Sequence, residues 1–292
     1  TFIVEKALSL LSPCMVCPWE CAADRLLNEN DGECKSGRYA KAASANLHFG
    51  EEPPISGSKG SGTIFFANCN LSCRYCQNYP ISQYGEGREV SPQELAEMML
   101  KLQKRGAHNI NFVTPSHVVP QVIEGWYIAR DKGLNIPIVY NSSGYDKVET
   151  LRLLEGIVDI YMPDMRYDSP KTAEMLSGVK KYPEINRAAI AEMHRQVGDL
   201  NVDNEGIATG GLLIRHLVLP NGYSGSEGIF KFIAENISKK TYISLMSQYF
   251  PAYEAVIDEK LNRRITADEF KKAVDAFYDA GLSKGYIQPE PY

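Results

Sequence analysis

From residue 63 onward the chain alternates between two hydrophobic periods. Short apolar runs rich in β-branched and aromatic residues fall at 63–68, 109–114, 137–141, 157–162, 212–219 and 242–246. Each reads as a buried strand. Between them, apolar residues recur on a helical period over 92–105, 119–132, 147–154, 183–197, 226–237 and 266–280. The helix ends carry their own signals. Ser91-Pro92-Gln93-Glu94 offers a capping hydroxyl, a Pro at the first helical position and a Glu at the third, and Thr266 with Glu269 repeats the capping box. Gly106, Gly133, Gly156, Gly198 and Gly281 stand at the helix stops.

Strand and helix in alternation predict a parallel sheet with helical crossovers. Six such units are two short of a closed eight-unit barrel, so the expected fold is α/β, a partial (β/α)6 barrel. The first 62 residues break the rhythm. They have little periodicity and end in a turn-rich stretch, from Glu51-Glu52-Pro53-Pro54 through Gly57, Gly60 and Gly62. The expected division is a Cys-rich, metal-binding N-terminal extension over 1–62 and a barrel over 63–292.

The chain's 292 residues are 44% hydrophobic and 23% charged, an ordinary globular balance with enough chain to bury a core. A net charge of −5 supplies no basic excess for phosphates, which argues against a nucleic-acid partner. The longest apolar runs, such as 63–67 and 217–219, are far too short to span a bilayer. The first eleven residues lack the basic start and small-residue cleavage site of a signal peptide. Thr rather than Met at position 1 suggests that a segment once preceded it. A cytoplasmic location is expected, without membrane attachment.

All seven cysteines lie in the first 76 residues. An odd count at tight spacings does not make a disulfide framework; it fits metal sites in a reducing compartment. Cys69-x3-Cys73-x2-Cys76 directly follows the first barrel strand, and function in such folds collects at the strands' C-terminal ends. Three thiolates can hold three irons of a cubane [4Fe-4S] cluster and leave the fourth open to a ligand. Buried structural cysteines or a partial zinc site are the alternatives, although zinc favours four ligands in paired C-x2-C hooks. The earlier set, Cys14-x2-Cys17-x3-Cys21-x12-Cys34, offers four closed ligands, as a structural metal would need. Zinc and a second, fully ligated [4Fe-4S] cluster both fit, and reduced, unliganded thiols are the bland reading. His48 is a spare ligand or a loop residue.

The other strand ends carry polar groups: Thr114-Pro115-Ser116-His117, Asn141-Ser142-Ser143-Gly144, Asp164 and Arg166, Pro220-Asn221, and Gln248-Tyr249. A non-catalytic electron carrier needs no such lined mouth, so an enzyme is the expected class. His117 reads more simply as a helix N-terminal residue than as a proton-transfer group.

The three-cysteine loop after strand one of a six-unit barrel resembles the radical S-adenosylmethionine superfamily. Other segments resemble its PflX-type branch, related to pyruvate formate-lyase activating enzymes. They are His48-Phe49-Gly50-Glu51-Glu52-Pro53-Pro54, Gly106-Ala107-His108-Asn109-Ile110-Asn111, Ile136-Pro137-Ile138-Val139-Tyr140-Asn141 and Arg215-His216-Leu217-Val218-Leu219-Pro220. The resemblance implies that Cys69, Cys73 and Cys76 bind the cluster. It implies that S-adenosyl-L-methionine, chelated at the open iron, is reductively cleaved to methionine and a 5′-deoxyadenosyl radical. It further implies a one-electron reductant such as flavodoxin or ferredoxin, and a glycyl-radical protein as substrate. Direct modification of a side chain or small molecule is the competing activity. Tyr75 matches the residue that contacts adenine, with an ordinary packed tyrosine as the alternative. Asn141, Ser142 and Ser143 stand where relatives place polar groups near the cofactor, and Asp164-Met165-Arg166 resembles an Asp-x-Lys that orients it. Gln248 closes the sixth position. The family's Gly-Gly-Glu after strand two is absent; Thr114 and Ser116 stand there and could accept a bond from the methionine ammonium.

Overall fold

The structure is a computed structural model that describes residues 2–27 and 31–290. Its strands are β1 Ala40–His48, β2 Ser61–Phe66, β3 Arg88–Val90, β4 Ile110–Val113, β5 Ile138–Asn141, β6 Ile160–Tyr161, β7 Asn201–Val202, β8 Ala208–Leu217, β9 Tyr242–Met246 and β10 Gly285–Ile287. Hydrogen bonding orders the sheet β10-β9-β8-β6-β5-β4-β2-β1-β3, with β7 paired to β8 off this path. Every neighbour pair from β2 to β10 along that order is parallel.

All six strands expected from the apolar runs are present. The sheet nevertheless has seven parallel strands, because Gly285–Ile287 adds an edge beyond the last expected helix. The opposite edge is also extended: β1 pairs antiparallel with β2, and β3 with β1. The expected helices form at Pro92–Lys104, Val119–Asp131, Tyr182–Val197, Ser226–Asn236 and Ala267–Asp279. The segment expected at 147–154 divides into a short α-turn, Val148–Leu151, and a 3₁₀ turn, Arg152–Leu154. Both predicted capping boxes close, with Ser91 Oγ accepting from Glu94 N and Thr266 Oγ1 from Glu269 N, each at 3.2 Å. A further helix, Pro170–Ser177, went unread.

The helices pack on the outer face of the sheet in one large apolar core. The inner face has a smaller core. Ile55, on the short helix Pro53–Ser56, packs with Val139, Ile160, Met162, Ala208 and Leu213 to form an apolar floor. Side chains two residues apart on a strand share a face. Arg215 therefore stands one step past Leu213, above the floor and toward the strand ends. Among the described residues, no helix is long and apolar enough to cross a membrane.

Candidate functional site

The chain leaves β2 through Asn68, whose φ of 68° lies in the left-handed region that Asn tolerates better than most residues. Its side-chain amide donates to Lys35 O and Ser36 Oγ, both at 3.0 Å. Asn70, two residues on, donates to Tyr145 O at 2.8 Å and accepts from Trp19 Nε1 at 2.7 Å. Cys69 is thus held between two anchored asparagines, and both anchors reach the N-terminal region. Cys73 is buried, while Cys69 and Cys76 are half-buried.

Each of the three sulfurs has a polar neighbour. Leu71 N donates to Cys69 Sγ at 3.4 Å, and Ser82 Oγ lies 3.0 Å from Cys76 Sγ. Cys73 Sγ accepts from Ser177 Oγ at 3.0 Å and from Arg166 Nη1 at 3.1 Å. Burial pushes the Cys69 thiol up to about 12, and the neighbouring Cys73 and Cys76 charges add to the shift. Cys73 is raised by burial too, with Arg166 opposing. Three thiols that repel one another as thiolates, yet carry hydrogen-bond donors, are suited to ligating a cationic centre. The set fits an iron–sulfur cluster with one iron left open, since bonds to the sulfurs also tune such a cluster. Among the described residues, no three His, Cys, Asp or Glu side chains are gathered around a point that a single metal ion could fill.

A chain of charges leads away from Cys73. Arg166 Nη2 donates to Asp164 Oδ2 at 2.6 Å. Arg215 approaches Asp164 Oδ1 with Nε and Nη2, each at 2.9 Å, and its Nη1 lies 3.8 Å from Glu51 Oε2. Burial works against the Asp164 charge, but Arg215 and Arg166 outweigh it and hold the carboxyl below its usual range. Sequence reading singled out Asp164 and Arg166 but missed Arg215, Glu51 and Ser177. Arg215 and Glu51 stood only within segments that carry the family resemblance, without a role of their own, and nothing local marks Ser177.

The remaining candidates fall in different surroundings. Tyr75 is buried; its hydroxyl pairs with Tyr167 Oη at 2.6 Å and its ring sits 6.0 Å from that of Tyr249. Tyr167 Oη in turn meets Ser177 Oγ at 2.6 Å, so Tyr75 supports the shell behind Cys73. Thr114 has a φ of 60°, an outlier for a β-branched residue. Its N–H donates to Asn141 O at 2.9 Å, which ties two strand ends together. Asn141 is buried. Ser142 Oγ donates to Asp146 Oδ2 at 2.7 Å, and Tyr140 Oη donates to Asp146 Oδ1 at 2.8 Å. Burial raises the Asp146 carboxyl, with the Ser142 and Tyr140 hydroxyls opposing; Ser116 is buried and its Oγ has no partner. Ser143 accepts from Tyr145 N at 3.4 Å within the same turn. Gln248 is exposed at the rim, where its Oε1 accepts from Gln288 Nε2 at 3.1 Å. Burial pushes His117 down to about 3, so it is neutral; its Nε2 faces Ala67 O at 3.0 Å and must carry the proton.

The four N-terminal cysteines lie close enough to feel one another's charge. Burial raises the Cys17 thiol, and Cys34, Cys14 and Cys21 add repulsion. Glu20 and Ala22 flank Cys21 in left-handed conformations, as does Lys35 after Cys34. Buried Arg25 donates to Ser36 O at 2.7 Å, Gly37 O at 3.1 Å and His117 O at 2.7 Å, and its Nη1 lies 4.0 Å from Cys14 Sγ. This cation joins the four-thiol set to the end of β4.

A parallel sheet whose first parallel strand leads into a loop of three hydrogen-bonded thiols defines a thiolate-site β/α barrel protein. The radical SAM superfamily pattern matches residues 63–204. "Uncharacterized protein MJ0674" of Methanocaldococcus jannaschii is 34% identical over 284 residues, covering 93% of this chain and 76% of that protein. The chain belongs to the radical SAM superfamily. Among solved structures, HydG, a maturase of the [FeFe]-hydrogenase, superposes with a TM-score of 0.56 at 16% identity, over 99% of this chain and 63% of that one. A radical SAM methyltransferase from Sphaerobacter thermophilus gives a TM-score of 0.53 at 14% identity, over 77% and 66%. The chain thus spans under two thirds of the length of these solved neighbours, and they share its fold.

Proposed function

We propose that this chain is an S-adenosylmethionine-cleaving enzyme whose [4Fe-4S] cluster sits on Cys69, Cys73 and Cys76. Superfamily membership supports the reading, and the paired donation of Arg166 and Ser177 to Cys73 Sγ carries it. When bound, the cluster supplies one-electron reduction of the cofactor's sulfonium. The chain's own residues do the rest. Arg166 spans Cys73 and Asp164 and keeps a buried Nε without a partner, a spare donor for a carboxylate. Thr114, Ser116, Asn141, Ser143 and Gln248 are the polar groups proposed to orient the cofactor at the mouth, and Tyr75 to back its adenine side. Cys14, Cys17, Cys21 and Cys34 would hold a second metal, zinc or a cluster, that fixes the loop docked against the triad.

The proposed substrate is a glycyl-radical protein, with flavodoxin or ferredoxin as reductant, in the cytoplasm. An aromatic patch beside the triad supports a macromolecular partner. Tyr79 stacks on Tyr253 at 5.4 Å, Tyr84 packs at 6.1 Å from Tyr253, and Tyr84 is 64% exposed. Such rings favour protein contact. The test is anaerobic reconstitution with iron and sulfide, then assay of 5′-deoxyadenosine with dithionite. Wild type should form it and Cys73→Ala should not; cleavage by the variant would overturn the assignment.

A further inference from the structure

Above the apolar floor lies a cavity of about 460 Å³, walled in part by Glu51, Glu52, Arg215, Ser244 and Gln248. Ser244 faces Arg215 across the β8–β9 pairing and is 1% exposed, yet its Oγ has no hydrogen-bond partner. Glu52 is 7% exposed and its Oε2 is likewise unpartnered. The Glu51 side chain is 8% exposed, with Arg215 Nη1 3.8 Å from its Oε2. Buried polar groups without partners are unfavourable, and a site that keeps several is built for a ligand that completes them.

The charges decide which ligand. Among the described residues, Arg215 is the one basic side chain on the cavity wall, and Asp164 already engages it through two bonds. Two carboxylates therefore face the space with less than one free cation between them. Anions are repelled. A primary ammonium has three donors and no acceptor, and Glu51, Glu52 Oε2 and Ser244 Oγ offer three acceptors.

We propose that this cavity binds a protonated primary amine, either a lysine side chain of the protein substrate or a small-molecule co-substrate. Burial pushes the Glu51 carboxyl up to about 7, with Arg215 only partly opposing it. The inference rests on the reading above only in calling the ligand a substrate. Its test measures binding, so loss of cofactor cleavage would not be mistaken for its failure.

The experiment is calorimetric titration of the reconstituted full chain at pH 8 under anaerobic conditions. Two amines are compared with neutral partners: 1,4-diaminobutane with 1,4-butanediol, and N-acetyl-lysine methylamide with N-acetyl-norleucine methylamide. At least one amine should bind ten-fold or more tightly than its neutral partner, and the tighter amine identifies a free or a peptide-borne source. The Glu51→Gln/Glu52→Gln variant should lose that preference. Equal binding of amine and neutral partner would overturn the proposal without any variant. So would displacement of the amine by S-adenosylhomocysteine, which would give these carboxylates to the cofactor's own ammonium. Retained preference in the folded double variant would overturn it as well.

Discussion

Arg166 holds Cys73 with one nitrogen and Asp164 with the other, Nη1 at 3.1 Å from the sulfur and Nη2 at 2.6 Å from the carboxylate. The planar fork spans a proposed cluster ligand and a buried acid in one rigid group, which a lysine ammonium cannot do.

Arg166→Ala should therefore weaken S-adenosylmethionine binding by about 1.5–3 kcal/mol, the range for a hydrogen bond to a charged group. Arg166→Lys should recover little of it. Iron content should be unchanged in both, because no thiol is removed. Titration calorimetry with iron counting checks this, and wild-type affinity in the alanine variant would restrict Arg166 to a structural role.

Glu51 gives a pH signature. Its carboxyl is raised from 4.5 to about 7, so between those values the folded chain holds a proton that the unfolded chain has lost. Stability from this group falls as pH rises through that window, reaching a penalty of about 3 kcal/mol above it. Glu51→Gln should then raise the unfolding midpoint at pH 8 and leave it unchanged at pH 4. Chemical denaturation at the two pH values decides it, and an equal effect at both would refute the buried-carboxyl account.

Cys17→Ala should lower the thermal midpoint by roughly 5–10 °C, through lost metal-binding free energy, before it alters spectra from the triad. Trp19, two residues along, donates to Asn70 O beside Cys69, so loosening should reach the triad only second. A variant with normal stability and an unchanged metal count would show that the four thiols hold nothing.

Gly144 and Gly106 separate crowding from backbone conformation. Both have positive φ, 71° and 87°. A Cβ at Gly144 would collide with Asp164 O and Asn186 Nδ2, whereas one at Gly106 meets nothing within 4 Å. Gly106→Ala should cost about 1 kcal/mol and Gly144→Ala about 2–4 kcal/mol, since only the second also displaces the Asp164 strand end. Equal midpoints in denaturant would remove the crowding argument.

The parallel strands were legible because strands buried on both faces read as near-continuous apolar runs. β1 was not, because Ala40-Lys41-Ala42-Ala43-Ser44-Ala45-Asn46-Leu47-His48 has weak intrinsic strand preference and takes its form from pairing with β2. β10 is three residues at an edge, too short for any period to show. At the site, the cysteine spacing and the Asp164/Arg166 pair stood out locally. Ser177 and Arg215 did not, since a hydroxyl at a helix end and a cation in mid-strand gain meaning only when the fold brings them to Cys73 and Asp164. Tyr75, beside Cys76, allowed two readings from sequence, an adenine contact and a packed tyrosine, and the Tyr167 and Tyr249 rings that surround it come from elements no local pattern ties to it.

The crowding of every cysteine into the first 76 residues has a consequence during synthesis. Cys73 emerges 104 residues ahead of Ser177 and 93 ahead of Arg166, the two donors that later cover its sulfur. At a translation rate of about 5–20 residues per second, the nascent chain carries uncovered thiols for roughly 5–20 s. Oxidants and scavenging metals therefore meet both thiol sets before the sheet that shelters them exists, which places the protein's most vulnerable moment on the ribosome.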